Sequence, residues 1–260
     1  MRFGVCTGPE NIETAARTGF DFIECMLYSI EAMEEAEFQA LAEKVPSLPI
    51  PIDRCNCFLP PWLKVTGPDT DEARQRAYLD KAFTRARKLG VEMVIFGSGG
   101  ARQVPEGFPL DEAWRQLEAF TRMAGEYGEK YGIRIALEPL RAQECNFLHY
   151  VAEANVLCAL VNHPYIGVMG DSFHMDCGGE RLTSLKEAGE KLWHIHISHA
   201  FPDRSGRDYP RPQDDGEYEA LIEALKAMHF QGDVSVEGGT QDFETDAPLA
   251  VARIKHLLAE

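Results

Sequence analysis

Eight short runs rich in branched and aromatic apolar residues recur along this 260-residue chain, each followed by a stretch long enough for a helix. The runs lie at residues 3–7, 22–26, 50–56, 92–97, 133–138, 166–171, 192–198 and 233–237. The helix-length segments lie near 11–18, 31–44, 70–89, 110–131, 150–161, 181–189, 216–228 and 247–258. Such alternation leads to a parallel sheet, because each crossover carries the chain back to the end where the last strand began. Runs such as EMVIFG and IRIALE are apolar nearly throughout rather than at every second position. Strands covered on both faces read that way. Eight units can close as a (β/α)8 barrel or open as a doubly wound sheet. No GxGxxG follows the first run, which weakens the dinucleotide-binding form of the open sheet. A barrel needs about 250 residues, so the expectation is one (β/α)8 domain over residues 1–260.

Local punctuation agrees. Asp69 or Thr70 is placed to cap the third helix and Gly90 to stop it; Pro109, two acids and Gly132 bracket the fourth.

The ends of the strands carry the chemistry. In a barrel these ends surround one mouth. The fifth run ends on Glu138, the sixth on Asp171 with His174 three residues on, and the eighth on Glu237. The seventh, LWHIHIS, offers His194 and His196 on one face, because side chains alternate along a strand. Taken singly, a strand-terminal acid is more often a helix cap or a surface ion-pair partner, and a histidine in an apolar strand is more often packing. Four such residues on consecutive strands, with neighbours about 4.8 Å apart, point instead to a common ion. Three oxygens and one nitrogen suit one Mn²⁺, Mg²⁺ or Co²⁺ better than structural zinc. His194 reads more as a packing or supporting residue than as a ligand.

Composition narrows the partners. With 42 acidic against 26 basic residues the net charge is −16, a field that repels nucleic-acid backbones. No apolar run reaches the roughly 18 residues of a membrane span, and no basic-then-apolar leader opens the sequence. Seven scattered cysteines fit a reduced, cytoplasmic protein. A homo-oligomer is compatible with all of this. Phe58, Trp62 and Phe96 are candidates to wall a substrate, although rings at such positions more often serve core or lid packing, and residues 97–102 fit an anion-binding turn or a plain flexible turn equally. Arginines 102, 141, 204, 207 and 211 fall in loops on the mouth side, a hint of a phosphate or carboxylate on the substrate.

The segments ALEPL at 136–140, GDSFHM at 170–175, HIHIS at 194–198 and VSVEGG at 234–239 resemble the xylose-isomerase-like barrel family of sugar isomerases and epimerases, above all the ketose 3-epimerases. The resemblance implies that Glu138, Asp171, His196 and Glu237 bind the metal and that Glu138 and Glu237 double as the acid/base pair. It also implies that His174, Glu144 and Arg207 contact a sugar or sugar-derivative substrate. Arg141, His149 and the long loop after the seventh strand depart from the epimerase pattern. The chemistry expected is proton transfer beside a carbonyl through a cis-enediolate. Rival readings are a metal-dependent lyase or dehydratase on the same barrel, and a non-catalytic sugar-binding barrel. A multi-zinc nuclease of the same fold would need more strand-end histidines and a basic face.

Overall fold

A computed structural model, describing residues 1–213 and 218–259, closes eight parallel strands into a barrel. The strands are β1 (Phe3–Cys6), β2 (Phe22–Met26), β3 (Ile52–Asn56), β4 (Met93–Phe96), β5 (Arg134–Leu137), β6 (Ile166–Asp171) and β7 (Leu192–Ile197). A small antiparallel pair, β8 (His199–Ala200) and β9 (Arg207–Asp208), intervenes before the last barrel strand, β10 (Asp233–Val236). β1 pairs with both β2 and β10, which seals the ring. The barrel is therefore the one expected, each strand lying within two residues of its predicted bounds.

The outer layer is α1 (Ile12–Thr18), α2 (Leu27–Ala32), α3 (Glu35–Lys44), α4 (Glu72–Leu89), α5 (Gly99–Arg102), α6 (Leu110–Tyr131), α7 (Val151–Val161), α8 (Ser172–Gly178), α9 (Thr183–Ala188), α10 (Glu219–Ala227) and α11 (Phe243–Ala259). α4 ends on Gly90 and α6 on Gly132, both left-handed as predicted. The cap of α4 is Asp71 rather than Asp69 or Thr70: its carboxylate accepts from the Arg74 amide at 3.1 Å.

Two helices differ from expectation. The segment predicted over 31–44 is broken at Met33–Glu34 into α2 and α3, with both residues in extended backbone. The buried Arg85 of α4 donates to the carbonyls of Ile30, Glu31 and Met33 at 2.7–2.9 Å. A distant guanidinium thus satisfies the helix end that no glycine or proline marks. Between β6 and β7, the predicted 181–189 helix is the second of two, α8 starting directly from Asp171. The start predicted for the helix over 216–228 falls in part outside the described residues.

Between barrel and helices, Phe58 stacks edge-on against Phe83 and Phe96, with Phe120 beside them. Met93, Ile95, Ala136 and Met169 form a separate apolar cluster. At the N-terminal ends of the strands Arg54, almost wholly buried, binds the Asp233 carboxylate and the Asp53 carbonyl. Burial pushes the Asp233 carboxyl up, but Arg2 and Arg54 outweigh it and hold it below the usual value. Such a group adds stability fully above its unfolded value, near 4, and the contribution is lost as pH falls through its lower folded value. Arg54→Met strands part of this network, and removing one partner of a buried pair costs about 3–5 kcal/mol. Urea unfolding at pH 7 should show a loss near the low end, because Arg2 still pairs with Asp233 at 2.7 Å. No helix among the described residues is long and apolar enough to cross a membrane.

Candidate active site

The sequence at each strand end explains how its side chain reaches the mouth. Glu138 and Glu237 lie one residue beyond β5 and β10, yet their amides still donate to Phe96 and Ile197 of the adjacent strands at 3.1 and 3.0 Å. Both side chains therefore leave from backbone fixed by the barrel ladder. Asp171 pairs in register with His196 across β6 and β7. Its two oxygens divide the work: Oδ1 caps α8 by accepting from the amides of Phe173 and His174 at 2.8 and 3.0 Å. Oδ2 turns to the mouth. The helix-cap reading of this residue is thus realised, and its second oxygen faces the other acids.

The four residues expected to share an ion do converge. One donor atom from each of Glu138, Asp171, His196 and Glu237 lies within 4.8 Å of all the others. The His196 nitrogen that faces the acids is Nδ1, at 2.8 Å from Glu237 Oε2, 3.2 Å from Glu138 Oε1 and 3.6 Å from Asp171 Oδ2. Glu138, Asp171 and His196 are buried and Glu237 is partly so. Gly97 makes room for the cluster: a Cβ there would stand 2.2 Å from Glu138 Oε2. The donor set, three carboxylates and one imidazole, fits a divalent cation, and a cation already stands beside it. Arg207 donates to Asp171 Oδ2 at 2.5 Å and Glu237 Oε2 at 2.8 Å. With His196 neutral, a divalent ion and this guanidinium together would balance the three carboxylates.

Charge crowding splits the carboxylates. Burial pushes Asp171 up, but Arg207, His174 and His196 outweigh it and hold its carboxyl well below the ordinary range. Glu237 is depressed in the same way, mainly by Arg207 and His196 acting against burial. Glu138 goes the other way: burial and the Glu237 charge raise it beyond what His196 gives back. Burial opposes charging His196, yet Glu237 and Glu24 hold its value well above the ordinary one. Buried neighbouring acids driven apart in this way make the cluster a candidate functional site.

The predicted substrate residues lie around this centre. His174 is buried, with Nδ1 3.5 Å from the Arg141 amide and Nε2 4.0 Å from Glu144. Glu144 accepts from Arg141 Nε at 2.7 Å, and Arg141 also donates to the Arg204 carbonyl at 2.6 Å, tying the loop after β8 to the one after β5. His149 donates from Nδ1 to the Leu140 carbonyl at 2.9 Å.

The remaining candidates separate. Phe58 and Phe96 take the core role rather than walling the mouth: both are wholly buried among α4 and α6 aromatics. Trp62 is 64% exposed. Arg102 is not a mouth-side cation but lies buried, 5.5 Å over the Phe96 ring. Arg204 binds Asp176 and Arg211 binds Asp246, while Arg207 bonds the acidic centre. In the turn over 97–102 the amides of Ala101 and Arg102 are taken by the Ser98 carbonyl, leaving fewer donors for an anion.

Three residues escaped the sequence reading. Asn56 at the end of β3 donates to Glu237 Oε1 at 3.3 Å. Glu24 in the middle of β2 and Cys6 at the end of β1 reach the far side of His196, at 3.0 and 3.9 Å from Nε2. The acid inside the apolar run FIECM was the signal, since a buried charge requires partners. All seven cysteines are free. A separate cavity of about 910 Å³, walled by Leu185, Trp193, Met228 and Phe230, opens near the N-terminal ends of β7 and β10, and none of the four converging residues lines it.

Comparison with known proteins agrees with this architecture. A probable ketose 3-epimerase from Synechocystis sp. is 27% identical over 234 residues, covering 86% of this chain and 76% of its own length. A solved structure of D-psicose 3-epimerase in the presence of D-fructose superposes with a TM-score of 0.85 at 18% identity, each chain covered over 100%. The IOLI protein with a binding zinc atom superposes at 0.75 with 20% identity, covering 100% of this chain and 98% of the other. The model of the xylose isomerase-like TIM barrel matches residues 12–258, and the chain belongs to that family.

Proposed function

We propose that this protein is a divalent-metal-dependent epimerase of ketoses or ketose derivatives, moving a proton at the carbon beside the carbonyl. The observation that carries the reading is the convergence of Glu138, Asp171, His196 and Glu237 within 4.8 Å, from four neighbouring strands. These residues would hold one Mn²⁺, Mg²⁺ or Co²⁺. When bound, such an ion would supply Lewis-acid stabilisation of the oxyanion that develops on enolisation.

The remaining work falls to the protein. Glu138 and Glu237 are the outer members of the four, on β5 and β10, with β6 and β7 between them. A substrate carbon between their carboxylates would lose its proton to one and regain one from the other on the opposite face. In each turnover one acid must begin ionised, to take the proton, and the other protonated, to give one. Glu237 is favoured in its charged form by Arg207, whereas burial and the Glu237 charge favour the protonated form of Glu138; in the reverse direction the roles exchange. Arg207, His174 and Glu144 would bind substrate oxygens, with Arg207 also restraining Asp171 and Glu237 through its two hydrogen bonds. The similarity to a probable ketose 3-epimerase over most of the chain supports the carbon chosen.

Incubation of the metal-supplemented protein with ketoses in deuterated water tests the assignment. Deuterium should enter at C3 as the epimer forms. Product without label, or no exchange in recovered ketose across free and phosphorylated sugars, would remove the proposal. An enone absorbance in place of an isomeric sugar would move it to a lyase.

A further inference from the structure

We propose that Glu24 is a positioning residue for the centre at the mouth: its carboxylate accepts the Nε2 hydrogen of His196, so that the imidazole keeps its Nδ1 lone pair turned toward Glu138, Asp171 and Glu237. The inference rests on the reading of those four residues as metal ligands.

The geometry is specific. Glu24 Oε1 lies 3.0 Å from His196 Nε2, on the side of the ring away from the other acids. Glu24 Oε2 accepts the Ser235 hydroxyl at 2.8 Å and stands 3.0 Å from His194 Nε2. The rings of His194 and His196 meet edge to face, 5.1 Å between centroids. All four side chains are buried, so no solvent competes for these contacts. Among the described residues the groups facing Glu24 are two imidazoles and a hydroxyl rather than a lysine or arginine, which is a poor arrangement if the carboxylate served only to neutralise charge. It is a good one for orienting rings.

Which nitrogen of an imidazole binds a cation is set by the bond that the other nitrogen makes. A carboxylate on Nε2–H fixes both the ring rotation and the tautomer, and it raises the basicity of Nδ1. Barrel closure supplies the acceptor. Register pairs Cys6 with Glu24 and Ser235 with His196, so the β2 acid reaches across the open end of β1 and β10 to a histidine of β7. A competing arrangement uses the same atoms: Cys6, Glu24 and His196 also bring one donor each within 4.8 Å, the makings of a second ion site. Stoichiometry separates the two.

The test is calorimetric titration of Mn²⁺ into the metal-stripped protein, with Glu24→Leu, Glu24→Gln and Ser235→Ala beside the wild type. Wild type should bind one equivalent. Glu24→Leu should weaken binding about 10–100-fold, the usual effect of removing such a partner. Glu24→Gln, whose amide oxygen can still accept from Nε2, should recover most of that loss, and Ser235→Ala should show a smaller decrease. Circular dichroism and melting of the metal-free variants verify folding, with Gln and Ala variants available should Leu fail to fold. In the magnesium-loaded protein, nitrogen-15 shifts of His196 should show the hydrogen on Nε2.

Folded Glu24→Leu binding Mn²⁺ like the wild type would overturn the role of Glu24 while leaving the metal centre intact. So would a Gln variant as weak as the Leu variant, or a second equivalent of metal that disappears in Glu24→Leu. Wild type that binds no divalent ion would instead defeat the proposed function and this inference with it.

Discussion

Glu237→Gln and Glu138→Gln are each expected to lower kcat by about 10²- to 10⁴-fold, the range for losing a positioned acid or base. Glutamine retains an oxygen donor and nearly the same volume but, being neutral, also weakens metal binding, so kcat is compared at saturating Mn²⁺, where the proton-transfer role is the main thing removed. The sharper result concerns exchange without inversion. With two bases on opposite sides, each variant keeps one. Glu138→Gln should still wash deuterium into one epimer and Glu237→Gln into the other, with neither forming much product. Nuclear magnetic resonance of recovered substrate reads this directly. A single variant that abolishes exchange from both epimers, while the other stays active, would mean one base serves both faces. Glu237 should be the more disruptive to packing, because its two oxygens bond Asn56 and Arg207; melting curves should register that difference.

Stripping divalent ions with a chelator is expected to reduce turnover more than 100-fold, on the order of the several kcal/mol a Lewis acid contributes to an oxyanion, and Mn²⁺, Co²⁺ or Mg²⁺ should restore it. Asp171 separates metal binding from folding. Asp171→Ala loses the ligand and also the cap of α8, and a lost cap costs about 1 kcal/mol. In a barrel of this size that corresponds to a melting shift of roughly 2–4 °C. Asp171→Asn keeps a capping oxygen, because Asn and Asp cap equally well, but loses the charge opposite Arg207. Both should bind Mn²⁺ weakly; only the alanine variant should melt early in metal-free buffer. Metal-independent turnover equal to the wild type in either variant would contradict the assignment.

The rim was legible because burial leaves a strong local trace. A parallel strand covered on both faces is apolar throughout, so the first acid or imidazole that interrupts it marks where cover ends. Glu138, Asp171 and Glu237 are such interruptions, and His196 sits one residue from the end of its strand. The aromatics were not legible in the same way. Phe58 and Phe96 lie at strand ends too, but an apolar ring suits either a substrate or a core, and only the packing of Phe83 and Phe120 from α4 and α6 settled which. The break between α2 and α3 left no local mark, since its cause, Arg85, is more than 50 residues away. Five arginines looked alike as loop residues, but their partners, Asp176, Asp246 and the Phe96 ring among them, are set by tertiary contacts.

The number, order and ends of the strands were therefore properties of the sequence itself, because hydrophobic periodicity and turn chemistry are local. Which strand-end residues meet was decided by closure. Glu24 and His196 are separated by 172 positions, and they touch only because β1 bonds to β10 on one side and β2 on the other. That closure follows from strand tilt and register through hydrogen bonds between distant backbones, which no local pattern encodes. A candidate ligand set could thus be read from four strand ends, while the carboxylate behind its histidine and the guanidinium bridging its acids came from the folded ring.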